Sequence, residues 1–297
     1  MAHRFGSRHT ETKLHALEKY LRAYSTALKK LKNKNIRLTY FDAFAGTGDI
    51  QIADADATLL DSVDDYSPFI KGSAQRALEL KTAFDCYVFV EKSKRKIADL
   101  KRLCSEHPDI AERVDVRAGD ANKQLQSFCK DTDWARNRAV VFLDPYGNQV
   151  SWETIVTIAE TKAIDLWYLF PAGLGVHRQI AAKGSVHETH EASLDKLLGT
   201  PDWRNDFIET KPVNDLFGSR EIQEKRATVE SITRFAAKRM KEVFKGGVLD
   251  EWLPLGSRRI HMYSLMFAWA NSSKKASQLA ETLAHAVLRS KRDGRTK

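Results

Sequence analysis

Residues 36–49 read IRLTYFDAFAGTGD. The run Ile36 to Phe41 is rich in β-branched and aromatic side chains and stops in the small, glycine-bearing segment Ala45 to Gly48, so it predicts a strand emptying into a tight turn. The same grammar recurs downstream. CYVFVE predicts a strand ending at Glu91, RVDVRAGD a short strand ending near Asp120, and AVVFLDPYG a strand that breaks at Asp144 and Pro145. Ile164 to Phe170 predicts another, breaking at Pro171. The last two are apolar almost throughout, as strands covered on both faces are. Between the strands, Ser73 to Leu80, Ser93 to Cys104, Ala121 to Phe128 and Trp152 to Ala159 carry helical periods. Five strands separated by helices imply right-handed βαβ units and a parallel sheet.

The flanks complete the plan. From Thr12 to Leu31, Leu14, Leu17, Leu21, Tyr24, Leu28 and Leu31 recur at steps of three and four, the stripe of an amphipathic helix that packs on the body. The stretch between Gly48 and Ser73 is acidic and patternless and predicts a loop or lid, a length of loop that usually has a task. Residues 176–226 lose the strand and helix alternation and are expected to form a helical insertion. Ala227 to Phe244 restores a helix, VLDEWLPLGSRRIHMYSLMFAWA predicts two antiparallel strands joined around Gly256 and Ser257, and Ser277 to Leu288 closes as a helix. The expected organisation is an N-terminal helix (1–35), a core (36–175), the insertion (176–226) and the remainder of the core (227–297).

Composition narrows the function classes. The chain has 297 residues, 42% of them hydrophobic, enough to bury a core and to exclude disorder and fibre. No apolar run approaches the roughly 20 residues of a membrane helix, and MAHRFGSRHT is too polar for a secretory signal, so a cytoplasmic protein is expected. Cys86, Cys104 and Cys129 lack ligand spacing, and His187, Glu188, His190 and Glu191 are read as a solvated helical face, so no metal site is predicted. The formal net charge is +9, with basic clusters at Lys29 to Lys34, Lys92 to Lys96, Arg258–Arg259 and the tail. Such clusters suit phosphate backbones, although each alone reads first as a solvated face or frayed end.

Chemistry is expected beyond the carboxyl ends of the strands, where loops and helix N-termini converge. Asp42, Phe44, Gly46 and Gly48 form the first tip, and its glycines let backbone approach a ligand closely. Glu91 ends the second strand, where a carboxylate can accept from both hydroxyls of a ribose in a nicotinamide or an adenosyl cofactor. Asp120 and Ala121 end the third, facing an adenine amino group. Asp144, Pro145 and Tyr146 end the fourth. An acid followed by a rigid turn and an aromatic ring can hold a planar amine, the carboxylate or a neighbouring carbonyl accepting from the NH2 while the ring stacks. A tight turn with Tyr146 packed locally is the structural alternative.

In this order the signals resemble class I S-adenosylmethionine-dependent methyltransferases over residues 36–171, and FxGxG followed by Asp-Pro-aromatic resembles the amino-methyltransferases of DNA and RNA. Here the fourth tip reads DPYG, without the second proline common in those enzymes. Nearly the whole chain is similar to the three-Cys-motif partner family (TcmP), in TKLHALEKYLRAY, YFDAFAGTG, GSAQRAL, YVFVEKS, GDAN, FLDPYG and FPAGLGVHR. The resemblance implies a Rossmann-like, mostly parallel seven-stranded sheet ending in an antiparallel hairpin. It also implies S-adenosylmethionine as cofactor, and a separate partner protein that bears three cysteines and looks like a radical S-adenosylmethionine enzyme. The expected activity is methylation of an exocyclic amino group of RNA or DNA, and the alternative is a catalytically silent binding partner with the same fold.

Overall fold

The computed structural model describes residues 8–29, 36–46, 72–80, 84–215, 218–256 and 260–289. Gly48, Leu31, the acidic stretch 49–69, the basic residues Lys30, Lys32, Lys34, Arg258 and Arg259, and the basic tail lie outside them. The chain runs α1 (Arg8–Lys29), β1 (Arg37–Asp42), α2 (Ser73–Glu79), β2 (Cys86–Glu91), α3 (Lys94–Ser105), β3 (Val114–Ala118), α4 (Ala121–Asp131), β4 (Asn137–Leu143), α5 (Trp152–Glu160) and β5 (Ile164–Phe170). It continues through α6 (Glu188–Leu198), α7 (Trp203–Phe207), β6 (Ile208–Asp215), β7 (Gly218–Lys225), α8 (Val229–Val243), β8 (Gly247–Val248), β9 (Leu253–Gly256), β10 (His261–Trp269) and α9 (Lys274–Arg289).

The main sheet has the order β3-β2-β1-β4-β5-β10-β8, with β9 also pairing β10. The first five strands are mutually parallel, while β10 runs antiparallel to β5, with Ser264 opposite Phe170 and Trp269 opposite Asp165. This is the mostly parallel Rossmann-like sheet with an antiparallel finish. The alternation of side chains along each strand splits the interior into two cores. Phe41, Val88, Val141, Leu166 and Tyr168 face α4, α5, α6 and α8, whereas Tyr40, Phe89, Phe142, Trp167 and Phe267 face α1, α2 and α9. All seven residues of β5 are buried, which explains its unbroken apolar reading.

Helix α1 joins the second core through Leu14, Leu17, Tyr20, Leu21 and Tyr24. Tyr20 lies 5.3 Å from Trp167 and 5.0 Å from Phe267, ring to ring, and pairs of this kind contribute about 0.5–1.5 kcal/mol each beyond burial. None of the described helices is long and apolar enough to cross a membrane.

The insertion differs from its expectation. Its first half contains α6 and α7, but residues 208–225 form an antiparallel ribbon in full register, Ile208 opposite Lys225 through Asp215 opposite Gly218. Charged residues obscured the strand pattern in the sequence. In the structure they support it, because Lys211 bridges Glu224 across the ribbon at 3.0 Å and Glu209 at 3.2 Å. The ribbon's base is anchored where the Lys225 ammonium donates to the carbonyls of His177 and Ile180.

Candidate active site

Strand order reverses between β1 and β4, and in open α/β sheets the crevice beyond such a reversal is where ligands bind. The four expected tips meet at this rim, stitched together by backbone hydrogen bonds. Ala43 N–H donates to Phe142 O (3.1 Å), Ala45 N–H to Val90 O (3.0 Å) and Gly119 N–H to Glu91 O (3.0 Å).

At the first tip Asp42 has no exposure. It accepts from the Phe44 N–H and the Tyr40 hydroxyl, each at 3.2 Å, and hydrogen-bonds Ser73. Burial pushes its carboxyl up to about 6 against these donors. Asp42, expected from the sequence to contact a cofactor, here uses both carboxylate oxygens in shaping the turn. Phe44 is half-buried against the core beneath it. Gly46 is different. Among the described residues, a Cβ there would stand 3.9 Å from both Glu91 Oε2 and Lys96 Nζ, an ordinary contact distance, so the turn is flanked by a carboxylate and an ammonium.

Glu91 is held in place by its own helix entry. Its Oε1 accepts from the N–H groups of Lys92 and Ser93, both at 2.8 Å, which turns Oε2 toward Gly46. Asp120 is exposed and caps α4 by accepting from the Lys123 N–H at 3.1 Å. Gly119 before it sits at φ +140°, a conformation that suits glycine. Ala121 packs against the core.

At the fourth tip, Asp144 Oδ2 pairs with the Lys13 ammonium at 2.5 Å, with side chains 22% and 15% exposed. Among the described residues Oδ1 has no hydrogen-bond partner. Pro145 is buried, while Tyr146 is 55% exposed, and its N–H donates to Gln149 Oε1 at 3.1 Å. Tyr146 is therefore not packed locally, and the tight-turn alternative accounts for Pro145 and for Gly147 at φ +69° but not for the ring.

Two contributors, Lys13 and Asn122, had no role in the sequence reading, and a third, the turn after β5, was expected on the active edge. Lys13 occupies a position on the buried stripe of α1, four residues before Leu17 and seven before Tyr20, and a cation on such a stripe was the available signal. Asn122 ties the third tip to the fourth, donating to Gln149 O (2.8 Å) and accepting from Ser151 N–H (2.9 Å). The turn Ala172–Val176 after β5 is a single π-helical turn wedged between its neighbours. Asn148 donates to Gly175 O at 3.0 Å, and a Cβ at Gly173 would stand 2.1 Å from His261 O. Of the residues following that turn, Arg178 is exposed, and His177 is held below the ordinary imidazole range by burial and then by the nearby Lys225 charge. His187 caps α6 and, like Glu188 and His190, is exposed.

An open cleft of about 750 Å³ lies beside the rim, between the first turns of α4 and α5 and the segment Asp195–Pro201. It shares Asp120 with the rim but includes neither Glu91 nor Asp144. Its polar floor is internally satisfied, with Asn122, Ser151 and Gln126 bonded to one another or to Thr154.

No family model and no curated protein matches the chain. Among solved structures it is similar to protein LPL1258 of Legionella pneumophila, from the DUF519 family, at 15% identity and TM-score 0.45, covering 94% of this chain and 92% of that one. It is also similar to the CcbJ methyltransferase of Streptomyces caelestis, at 12% identity and TM-score 0.32 over 85% and 95% of the two chains. A third is the magnesium protoporphyrin IX methyltransferase ChlM of Synechocystis PCC 6803 with bound SAH, at 16% identity and TM-score 0.29 over 71% and 84%. At these scores the likeness is distant, and the fold assignment rests on the chain's own strand order and directions.

Proposed function

We propose that the protein is an S-adenosylmethionine-dependent methyltransferase acting on an exocyclic amino group of a nucleic-acid base. The observation that carries this reading is the pairing of two half-used carboxylates across the switch point. Glu91 has one oxygen turned toward Gly46, and Asp144 has one oxygen without a partner among the described residues. The donor set fits an adenosyl group. Glu91 Oε2 would accept from the ribose hydroxyls, Asp120 would accept from the adenine amino group, and the turn around Gly46 would lie against the amino-acid end. When bound, S-adenosylmethionine supplies an electrophilic methyl carbon, so neither a metal nor a protein nucleophile is required.

The rest is positioning, which is worth several kcal/mol when two reactants are held in line. Asp144 Oδ1 accepts a hydrogen bond from the acceptor NH2 and keeps its nitrogen lone pair facing the donor side. Lys13 fixes the other oxygen, so the carboxylate presents one lone-pair direction. Tyr146, open to solvent, stacks on the ring that bears the amine, a contact worth about 1–3 kcal/mol per base. The similarity to three-Cys-motif partners adds a second proposal, that this chain acts with a cysteine-bearing partner protein, testable by co-purification.

One observation favours the catalytically silent alternative: Lys13 already neutralises Asp144, as a purely structural pair would. Calorimetric titration with S-adenosylhomocysteine, followed by transfer of labelled methyl groups to unstructured RNA and DNA, separates the readings. Binding with transfer supports the enzyme, whereas binding without transfer or absence of binding supports the silent partner.

A further inference from the structure

The turn at Gly46 has two opposite charges beside it. Ala45 N–H donates to Val90 O at 3.0 Å, which sets Gly46 next to the end of β2. Measured from where a Cβ on Gly46 would stand, Glu91 Oε2 and Lys96 Nζ each lie at 3.9 Å. The carboxylate is fixed, because its Oε1 accepts from the N–H groups of Lys92 and Ser93. The ammonium comes from the first turn of α3. Among the described residues the two groups flank one turn without forming an ion pair with each other or with a third residue.

Helix stability does not account for that lysine. The amino end of a helix carries partial positive charge and favours acids over cations. The first turn of α3 nevertheless holds no acidic residue, and its N-cap, Ser93, makes no side-chain cap bond. Lys94 and Arg95 are exposed, so their charges are screened by water. Lys96 is half-buried, and its ammonium lies by the glycine turn. The helix end and the ammonium thus add their positive potentials on one side of Gly46, while Glu91 supplies the negative side.

We infer that Lys96 binds the carboxylate of an adenosyl amino acid and thereby selects the ligand of this site. The inference rests on the methyltransferase reading, which gives the ribose hydroxyls to Glu91 Oε2 and the amino-acid end to the Gly46 turn. That end carries a carboxylate and an ammonium on one carbon. The positive side of the turn takes the carboxylate through a charge-assisted hydrogen bond from Lys96 Nζ. An adenosyl thioether that lacks the carboxylate brings its ammonium toward another ammonium and is disfavoured. Lys96 is a binding residue in this account, and the contact involves neither the sulfonium nor the methyl group. S-adenosylhomocysteine therefore serves as the probe.

The test is calorimetric titration of the full chain with S-adenosylhomocysteine and with S-adenosyl-3-thiopropylamine, which keeps the ammonium and lacks the carboxylate. The parent is expected to prefer S-adenosylhomocysteine by about tenfold or more. Lys96→Gln should weaken S-adenosylhomocysteine about tenfold and leave the decarboxylated ligand within about twofold, so that the preference collapses. Lys96→Arg, which keeps the charge, should retain it. Added salt should narrow the preference of the parent and leave that of Lys96→Gln unaltered. An equal loss of both ligands in Lys96→Gln would make Lys96 a support for Glu91 and overturn the inference, and so would an unchanged ratio. Tighter binding of adenosine diphosphate than of S-adenosylhomocysteine would assign Lys96 to a nucleotide phosphate and overturn it as well. The two ideas fail differently. A parent that binds neither adenosyl ligand sinks the methyltransferase reading and this inference with it, whereas a parent that binds S-adenosylhomocysteine with a preference indifferent to Lys96 sinks the inference alone.

Discussion

Two aspartates under the same helix illustrate how a site differs from a scaffold. Lys13 and Tyr20 lie on one stripe of α1, about two turns apart, and each reaches an aspartate. Lys13 holds Asp144 just past the carboxyl end of β4, and Tyr20 donates to Asp165 Oδ2 at 2.7 Å near the amino end of β5. Asp165 is sealed, and burial pushes its carboxyl up to about 7 although the Tyr20 hydroxyl and Arg138 pull the other way. Asp144 is partly open, meets a cation and keeps an oxygen spare. One residue type under one helix thus serves as a dry strut at one edge and as a presented acceptor at the other. Solvent access and the charge of the partner make the difference.

The contrast is open to direct attack. Asp144→Ala should lower methyl transfer about 10²-fold, the cost of misplacing one of two reactants, with S-adenosylhomocysteine affinity nearly unchanged. Unaltered turnover in that variant would reject the role. Asp165→Asn should do the opposite, sparing transfer and changing stability. The folded chain binds the Asp165 proton more tightly than the unfolded chain does. Its stabilisation is therefore complete below the ordinary carboxylate value and lost as pH rises through about 7.

The asparagine variant, which still accepts from Tyr20, should therefore exceed the parent above pH 7 by up to about 4 kcal/mol and converge with it toward pH 4. Thermal melts at several pH values measure this, and parallel profiles for the two proteins would show that Asp165 is not the strained group. Lys13→Met should reduce transfer about tenfold while costing no more than about 1 kcal/mol of stability, because the pair is only partly buried. Equal losses of rate and stability would make Lys13 a scaffold residue. The smallest effect is expected from Tyr20→Phe, about 1 kcal/mol of stability for one hydrogen bond, with the transfer rate intact; a slowed rate in that variant would join the two ends of α1 functionally.

The strand tips were legible because their signals are local. A β-rich run that stops at glycine or proline marks where a strand ends, and in a parallel sheet every strand that alternates with a helix ends on the same side. Asp42 shows what such local signals leave out. Its place in the row suggested contact with a ligand, but only packing reveals that Tyr40, Phe44 and Ser73 surround its carboxylate. The ribbon of β6 and β7 was missed because its charged residues carry no apolar alternation, and its stability comes from cross-strand pairs and the anchor at Lys225.

From its letters alone this chain specifies a parallel α/β body, the segments that end at the rim, and an acid followed by a ring after the fourth strand. Period and turn chemistry act over a few neighbouring residues, so they can be read directly. Tertiary structure decides that Lys13 meets Asp144 across 131 positions of sequence, and that Gly173 and Gly175 are pressed between the fourth tip and β10. Those facts depend on which surfaces are brought together when both faces of the sheet are buried, and pairings between residues so far apart along the chain leave no periodic trace in it.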